Sequence, residues 1–357
     1  MSRARVWGVL LAVALPLLVL ASMRWGSSGA IPWSEAWRGA WAGLGFGEPL
    51  EAGRQLIVEL RLWRALTAAG VGAGLALSGA LIQGVFRNGL AAPSVIGVTG
   101  GATLGASLAI LALAGYGSAT IRLQDIVKDI GGATFVVPLF GFVGALAVVL
   151  LVMLLASSGG RLSVPTLLLA GIAVNTFIAG LLAVIASQIM GDWEVARTVL
   201  AWAFGTFDDR SGYHAATVWA GIGLALSVVP FVAWELDLLQ SGEDDAAALG
   251  VATGRVRWLC ITAASLAASA AVAVAGQISF VGLIVPHLVR LLVGKRHGAL
   301  IPLSLLFGAV FMLAVDLGMR RVLGDPAPIQ PGVAMSVVGG PFFLALLLWQ
   351  RRELDTW

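Results

Sequence analysis

The sequence predicts an all-α polytopic membrane protein of about ten transmembrane helices, and three observations lead there. Of 357 residues, 59% are hydrophobic and 11% charged, where soluble domains run at ~45–50% and ~25%; mean hydropathy is +0.94. Apolar runs recur along the whole chain, most of them meeting the ~20 residues that cross ~30 Å of hydrocarbon. Glycine, at 46 residues, is near twice its usual ~7% share, which in a membrane favours helices packed backbone to backbone.

The first run, 6–23, follows Arg3 and Arg5. It is longer than the ~7–15-residue core of a signal peptide and reads as a retained span. Residues 24–60 form a mixed loop whose Trp33, Trp37 and Trp41 suit the lipid interface. Further runs follow at 65–86, 92–114, 131–156, 164–190, 213–234, 256–275, 280–294, 299–319 and 332–349. The 280–294 run is short and broken by Pro286. With the first span these make ten, so both termini share one side. The 22 Lys and Arg divide evenly between the two sides, so the positive-inside rule does not orient the chain. No linker or short-period repeat interrupts 1–357, which reads as a single membrane domain.

Between the 213–234 and 256–275 runs lies a water-loving break, Glu235–Arg257. Ser241-Gly242-Glu243-Asp244 has the form of a helix start, with Ser241 as cap. Glu243, Asp244 and Asp245 fall in the first turn, against the positive end of the helix dipole. Ala246–Leu249 continues the helix, Gly250 is placed to end it, and Thr253 is placed to cap a second short helix. By these residues alone, the pair fits a docking surface for a soluble partner and a capped connector equally.

Several classes are excluded. The basic and acidic residues, 22 against 19, are scattered, and no basic run suggests nucleic acid. Cys260 stands alone, so there is no disulfide framework. His214, His287 and His297 are too dispersed for a metal site. Gly294-Lys295 is followed by Arg296 and lacks the upstream glycine of a phosphate loop, which argues against nucleotide hydrolysis by this chain.

Residues 61–101 read RLWRALTAAGVGAGLALSGALIQGVFRNGLAAPSVIGVTGG. Gly70, Gly72, Gly74 and Gly79 give the small-residue spacing of a closely packed helix. Gln83 is polar within the span, Asn88-Gly89 marks a turn, and Pro93 starts the next helix. Asp316 is the acid nearest to hydrocarbon. It is a functional candidate for that reason, but Arg320, four residues on, is placed to pair with it. His287, beside Pro286, fits a hydrogen-bonding structural residue better than a ligand.

The 61–101 segment resembles the signature of the iron-siderophore (FecCD-type) ABC transporter permeases, a family that includes heme and cobalamin permeases. The resemblance continues through RLSVPTLLLAGIAVN (161–175), VLAWAFGTFDDRSGY (199–213), LDLLQSGEDDAAALGV (236–251), AGQISFVGLIVPHLVR (275–290) and GGPFFLALLL (339–348). The chain departs from the family pattern at Trp63 and Gly89, both usually proline, and at 329–332, where Pro331 is displaced by one residue.

The resemblance implies a cobalamin-permease-like (type II ABC importer) fold in the bacterial cytoplasmic membrane with both termini cytoplasmic. It implies that Ser241 to Gly250 couple to an ATP-binding cassette ATPase dimer, which carries the ATP and magnesium; this chain binds no cofactor and catalyses nothing. Arg61, Arg64 and Arg320 would meet acidic residues of an extracytoplasmic substrate-binding protein, although the snorkelling of arginines at helix ends is an ordinary alternative. Ser163, Val164 and Pro165 align with the family's cytoplasmic gate, although a tight turn with Pro165 opening the next helix also explains them. Two copies would enclose the pathway within membrane lipid. The favoured cargo is a ferric siderophore, then heme or cobalamin. A gradient-driven carrier using Asp316 and a receptor without transport are the readings from other classes.

Overall fold

The computed structural model describes residues 3–26, 29–114, 133–158, 161–189, 191–322 and 329–354. The ends of two expected spans, 131–132 and 190, and both chain termini lie outside these residues. Thirteen α-helices are described: α1 (Arg3–Arg24), α2 (Trp33–Gly43), α3 (Ala52–Phe86), α4 (Val98–Ala114), α5 (Ala133–Ala156), α6 (Val164–Ile189), α7 (Trp193–Ala203), α8 (Gly212–Leu239), α9 (Glu243–Ala248), α10 (Thr253–Ala275), α11 (Val281–Val293), α12 (His297–Val322) and α13 (Pro331–Leu354). Seven are long and apolar enough to cross a membrane; α4, α11 and α13 contribute three shorter apolar helices. The ten correspond to the ten runs in the sequence.

The axis of the bundle is α3, with 94% of its most apolar stretch buried; α8, α10, α11 and α12 pack around it. Its glycines explain how four helices fit around one. A Cβ on Gly72 would lie 2.1 Å from the Gly308 carbonyl oxygen of α12, and one on Gly79 would lie 1.7 Å from the Gly282 carbonyl oxygen of α11. At both crossings backbone meets backbone, the small-residue contact that gives membrane helices their dispersion energy. Gly79→Val should therefore force α3 and α11 apart, lowering the midpoint of thermal unfolding in detergent by the equivalent of about 1–3 kcal/mol or more. Gly53→Ala, at an exposed glycine with open space around it, should leave that midpoint unchanged.

Four local expectations are corrected. Residues 24–60 are not a plain loop: Trp25–Gly26 pairs with Gly29–Ala30, α2 follows, and α3 begins at Ala52, well before the apolar run. Trp63 therefore sits inside α3, its ring against Gly212. Pro93 opens a single 3₁₀ turn, Pro93–Ile96, before α4. Ser241 does not cap α9, since Gly242 is the N-cap residue and no side chain bonds there. Nor does Thr253 cap a separate short helix; it begins α10, which runs unbroken into the bundle.

The expected stop of α9 is present. Gly250, at φ 88°, ends α9. Its N–H donates to Ala247 O and that of Val251 to Ala246 O, the paired bonds of a left-handed helix terminus. Trp33, Trp37 and Trp41 are exposed along one face of α2, while Ala36, Gly39 and Ala40 are buried on the other.

Candidate functional site

The two ends of α3 mark two polar clusters. From Arg64 to Arg87 the helix and its cap span ~35 Å at 1.5 Å per residue, about the thickness of the hydrocarbon core.

At the first end, Arg61, Arg64 and Arg320 line one recess, and Arg64 and Arg320 converge on Asp316, as the spacing implied for Arg320 and as it did not for Arg64. Asp316 is 1% exposed and lies 2.8 Å from both Arg64 Nη2 and Arg320 Nη2. Arg64 also pairs with Asp208, in the loop between α7 and α8. Arg61 is buried and donates to Met23 O at 2.9 Å and Gly29 O at 2.8 Å. Arg320 donates to Ser22 Oγ at 2.5 Å and Trp25 O at 3.2 Å. Arg61 and Arg320 thus turn inward, bracing the hairpin after α1 against α3 and α12. Burial disfavours the charged form of Asp208, but the Arg64 guanidinium, with help from Thr206 and Arg210, outweighs it and holds the carboxyl below the usual carboxylate range. That pair stays ionised at neutral pH and is lost only as the pH falls through this lowered value.

At the other end, Ala246 is buried, while Glu243, Asp244, Asp245 and Leu249 face outward; Leu249 is 67% exposed. Glu243 accepts from Arg257 Nη2 at 2.5 Å. The same guanidinium donates through Nη1 to Leu162 O at 3.0 Å. Leu162 is the residue before Ser163, Val164 and Pro165, so a single arginine ties α9 to the turn that opens α6. Ser163 Oγ accepts from Thr166 Oγ1 at 3.0 Å, and Pro165 is the second residue of α6, where its missing N–H has no helical partner to lose.

Gln83 is buried, donating to Leu283 O at 3.2 Å and accepting from Arg290 Nη2 at 3.0 Å. Asn88 Oδ1 accepts from Leu90 N at 2.9 Å and closes the expected turn. His287 differs from expectation. It is buried, and neither ring nitrogen has a hydrogen-bond partner among the described residues. Sequence reasoning gave no role to Arg257, Asp208 or Arg290. Arg257 closes the polar stretch, and Arg290 stands one helical turn after His287, but their partners are distant in the chain.

The chain matches the FecCD transport family over residues 14–349. It belongs to that family. It is 37% identical to the cobalamin import system permease protein of Halobacterium salinarum over 90% of this chain and 80% of that one. It is 36% identical to the molybdate import system permease protein of Haemophilus influenzae, over 84% and 82% respectively. The iron(3+)-hydroxamate import system permease protein of Bacillus subtilis is 34% identical, over 89% and 77%. A solved structure described as an inward-facing conformation of a metal-chelate type ABC transporter superposes with a TM-score of 0.77 at 29% identity, covering 95% of this chain and 97% of the other. This FecCD protein is a multi-pass ABC importer permease, from a family of translocation subunits that work with an ATPase and a substrate-binding protein.

Proposed function

We propose that this permease sits in the bacterial cytoplasmic membrane with its termini and α9 on the cytoplasmic side. In this reading it moves a ferric siderophore inward as one half of a homodimer, using ATP hydrolysed elsewhere. The observation that carries the coupling role is the Glu243–Arg257–Leu162 connection. An ATPase dimer seated on Ser241–Gly250 would find three outward acids and the apolar Leu249 at the tip. Movement of α9 would pull on Arg257 and so on the 163–165 gate, a rigid-body switch between two packings. No group in this chain is given a chemical step, and none holds a cofactor; ATP and magnesium belong to the partner.

The homodimer reading rests on α6. Only 11% of its most apolar stretch is buried, yet Thr176, Ser187 and Gln188 are exposed along it. Thr176 and Ser187 spend their hydroxyls on Ile172 O and Val184 O of the same helix, so it is the bare face of α6 as a whole that suits packing against a second copy. At the opposite end, the binding protein's acids would compete with Asp208 for Arg64, and with inward partners for Arg61 and Arg320. A gradient-driven carrier using Asp316 is the poorer reading, because the carboxylate is already taken up by two arginines at 2.8 Å that tie it to neighbouring elements.

Cargo is tested by reconstituting the permease with its ATPase and binding protein and comparing uptake of a ferric hydroxamate, hemin, cobalamin and molybdate. The ferric chelate should be taken up fastest. Uptake confined to cobalamin or molybdate would reassign the cargo while leaving the importer reading intact.

A further inference from the structure

The end of the bundle that carries α9 contains a cavity of about 570 Å³ between α3, α8, α11 and α12. Arg87, Arg290 and Lys295 line it together with His287, and no carboxylate does. Arg87 and Lys295 have no side-chain hydrogen bond or ion pair among the described residues. Arg290 uses Nη2 on Gln83. Its Nη1 and His287 Nδ1 lie nearest Gly89, where a Cβ would stand 3.1 Å and 3.8 Å away, so the missing side chain keeps that space free. His287 is 8% exposed, with two unpartnered ring nitrogens. A buried polar ring without a partner costs stability unless something occupies the space beside it. Three cations converging there call for an anion.

The shape of the neighbouring surface says which anion. A second cavity, of about 590 Å³, shares Gln240 and Lys295 with the first and leads to Arg296, Leu238 and Trp234; its one carboxylate, Asp237, is held by the His297 ring at 2.7 Å. Trp234 is 71% exposed, and Phe231, one turn earlier on α8, is 74% exposed. A charged recess thus runs out onto a bare aromatic face, the profile of an amphiphile. Indole rings favour the headgroup level of a bilayer, and basic pockets between membrane helices bind phospholipid headgroups.

We propose that this recess binds the phosphodiester headgroup of an anionic phospholipid, its phosphate at Arg87, Arg290 and Lys295 and its acyl chains along α8 past Phe231. The site depends on neither cargo nor orientation, since both leaflets contain phospholipid. A lipid held there would brace the α3, α11 and α12 ends beside the root of α9.

The test is native mass spectrometry of the detergent-solubilised protein, titrated with phosphatidylglycerol or with phosphatidylcholine. The wild type should bind phosphatidylglycerol in preference. Arg87→Glu combined with Lys295→Glu should weaken that binding about tenfold or more, and Trp234→Ala should weaken it less. Millimolar inorganic phosphate should not displace the lipid. Equal binding of the two lipids, or unchanged binding in the charge-reversed protein, overturns the proposal. Displacement by inorganic phosphate also overturns it, in favour of a free-phosphate site; so does loss of lipid binding whenever the ATPase is docked, in favour of an acidic protein segment. If the doubly reversed protein elutes as aggregate, Arg87→Gln alone decides by the same criteria.

Discussion

Arg257→Ala is expected to cut ATP-driven uptake by about tenfold or more while leaving the protein folded and the ATPase bound. The guanidinium is the one described side chain that touches both Glu243 of α9 and Leu162 O beside the 163–165 turn. Without it, α9 can move and the turn need not follow. Coupling free energies of ~1–3 kcal/mol correspond to ~5–150-fold, which sets the size of the expected loss. Lysine in its place reaches one partner at a time and should restore only part of the rate. Glu243→Ala should produce a similar defect, and the double variant should be little worse than either single one, because both act on the same connection. Uptake measured in proteoliposomes, beside ATP hydrolysis in the same vesicles, separates the outcomes: hydrolysis persists while transport falls. Additive losses would mean that the two residues act independently.

Asp316→Asn is expected to have the largest effect on stability. This carboxylate, 1% exposed, neutralises Arg64 and Arg320 together and through them holds the α7–α8 loop and the hairpin after α1. Amide replacement keeps the volume and removes the charge, leaving two guanidinium groups facing each other in a site largely closed to water. Breaking a buried pair by removing one partner costs ~3–5 kcal/mol; here two pairs share the lost partner. The variant should accumulate poorly and unfold at a clearly lower temperature in detergent. Reducing the excess charge with Arg320→Gln in the same chain should recover part of the loss. A variant with unchanged melting would show that Asp316 has a role other than holding these arginines.

The membrane architecture was legible because it rests on composition and on run length, which need no tertiary information. Ten runs became ten apolar helices, and the glycines of 70–79 became the contact surface of the central helix. Boundaries were less legible. α3 starts at Ala52 because amphipathic residues outside the hydrocarbon continue its helix, and a hydropathy scan sees only the apolar part. Gly242 took the N-cap position from Ser241 because φ near 141° is open to glycine and strained for serine. Pairs close in sequence, such as Asp316 with Arg320, could be read directly from helical spacing. Arg64 with Asp316, Arg290 with Gln83, and Arg257 with Leu162 join segments from 95 to 252 residues apart. Only packing brings those together. His287 was misread for a related reason: a proline beside a histidine predicts a free carbonyl nearby, but not that both ring nitrogens will be buried without a partner at the wall of a cavity.

The most direct test of an externally powered doorway is uptake into proteoliposomes holding the permease alone, or the permease with its ATPase, with binding protein and cargo outside. Vesicles with the ATPase and internal ATP should accumulate cargo, and those without it should not, whatever proton or sodium gradient is imposed. Full-rate uptake by the permease alone would contradict the mechanism at its root.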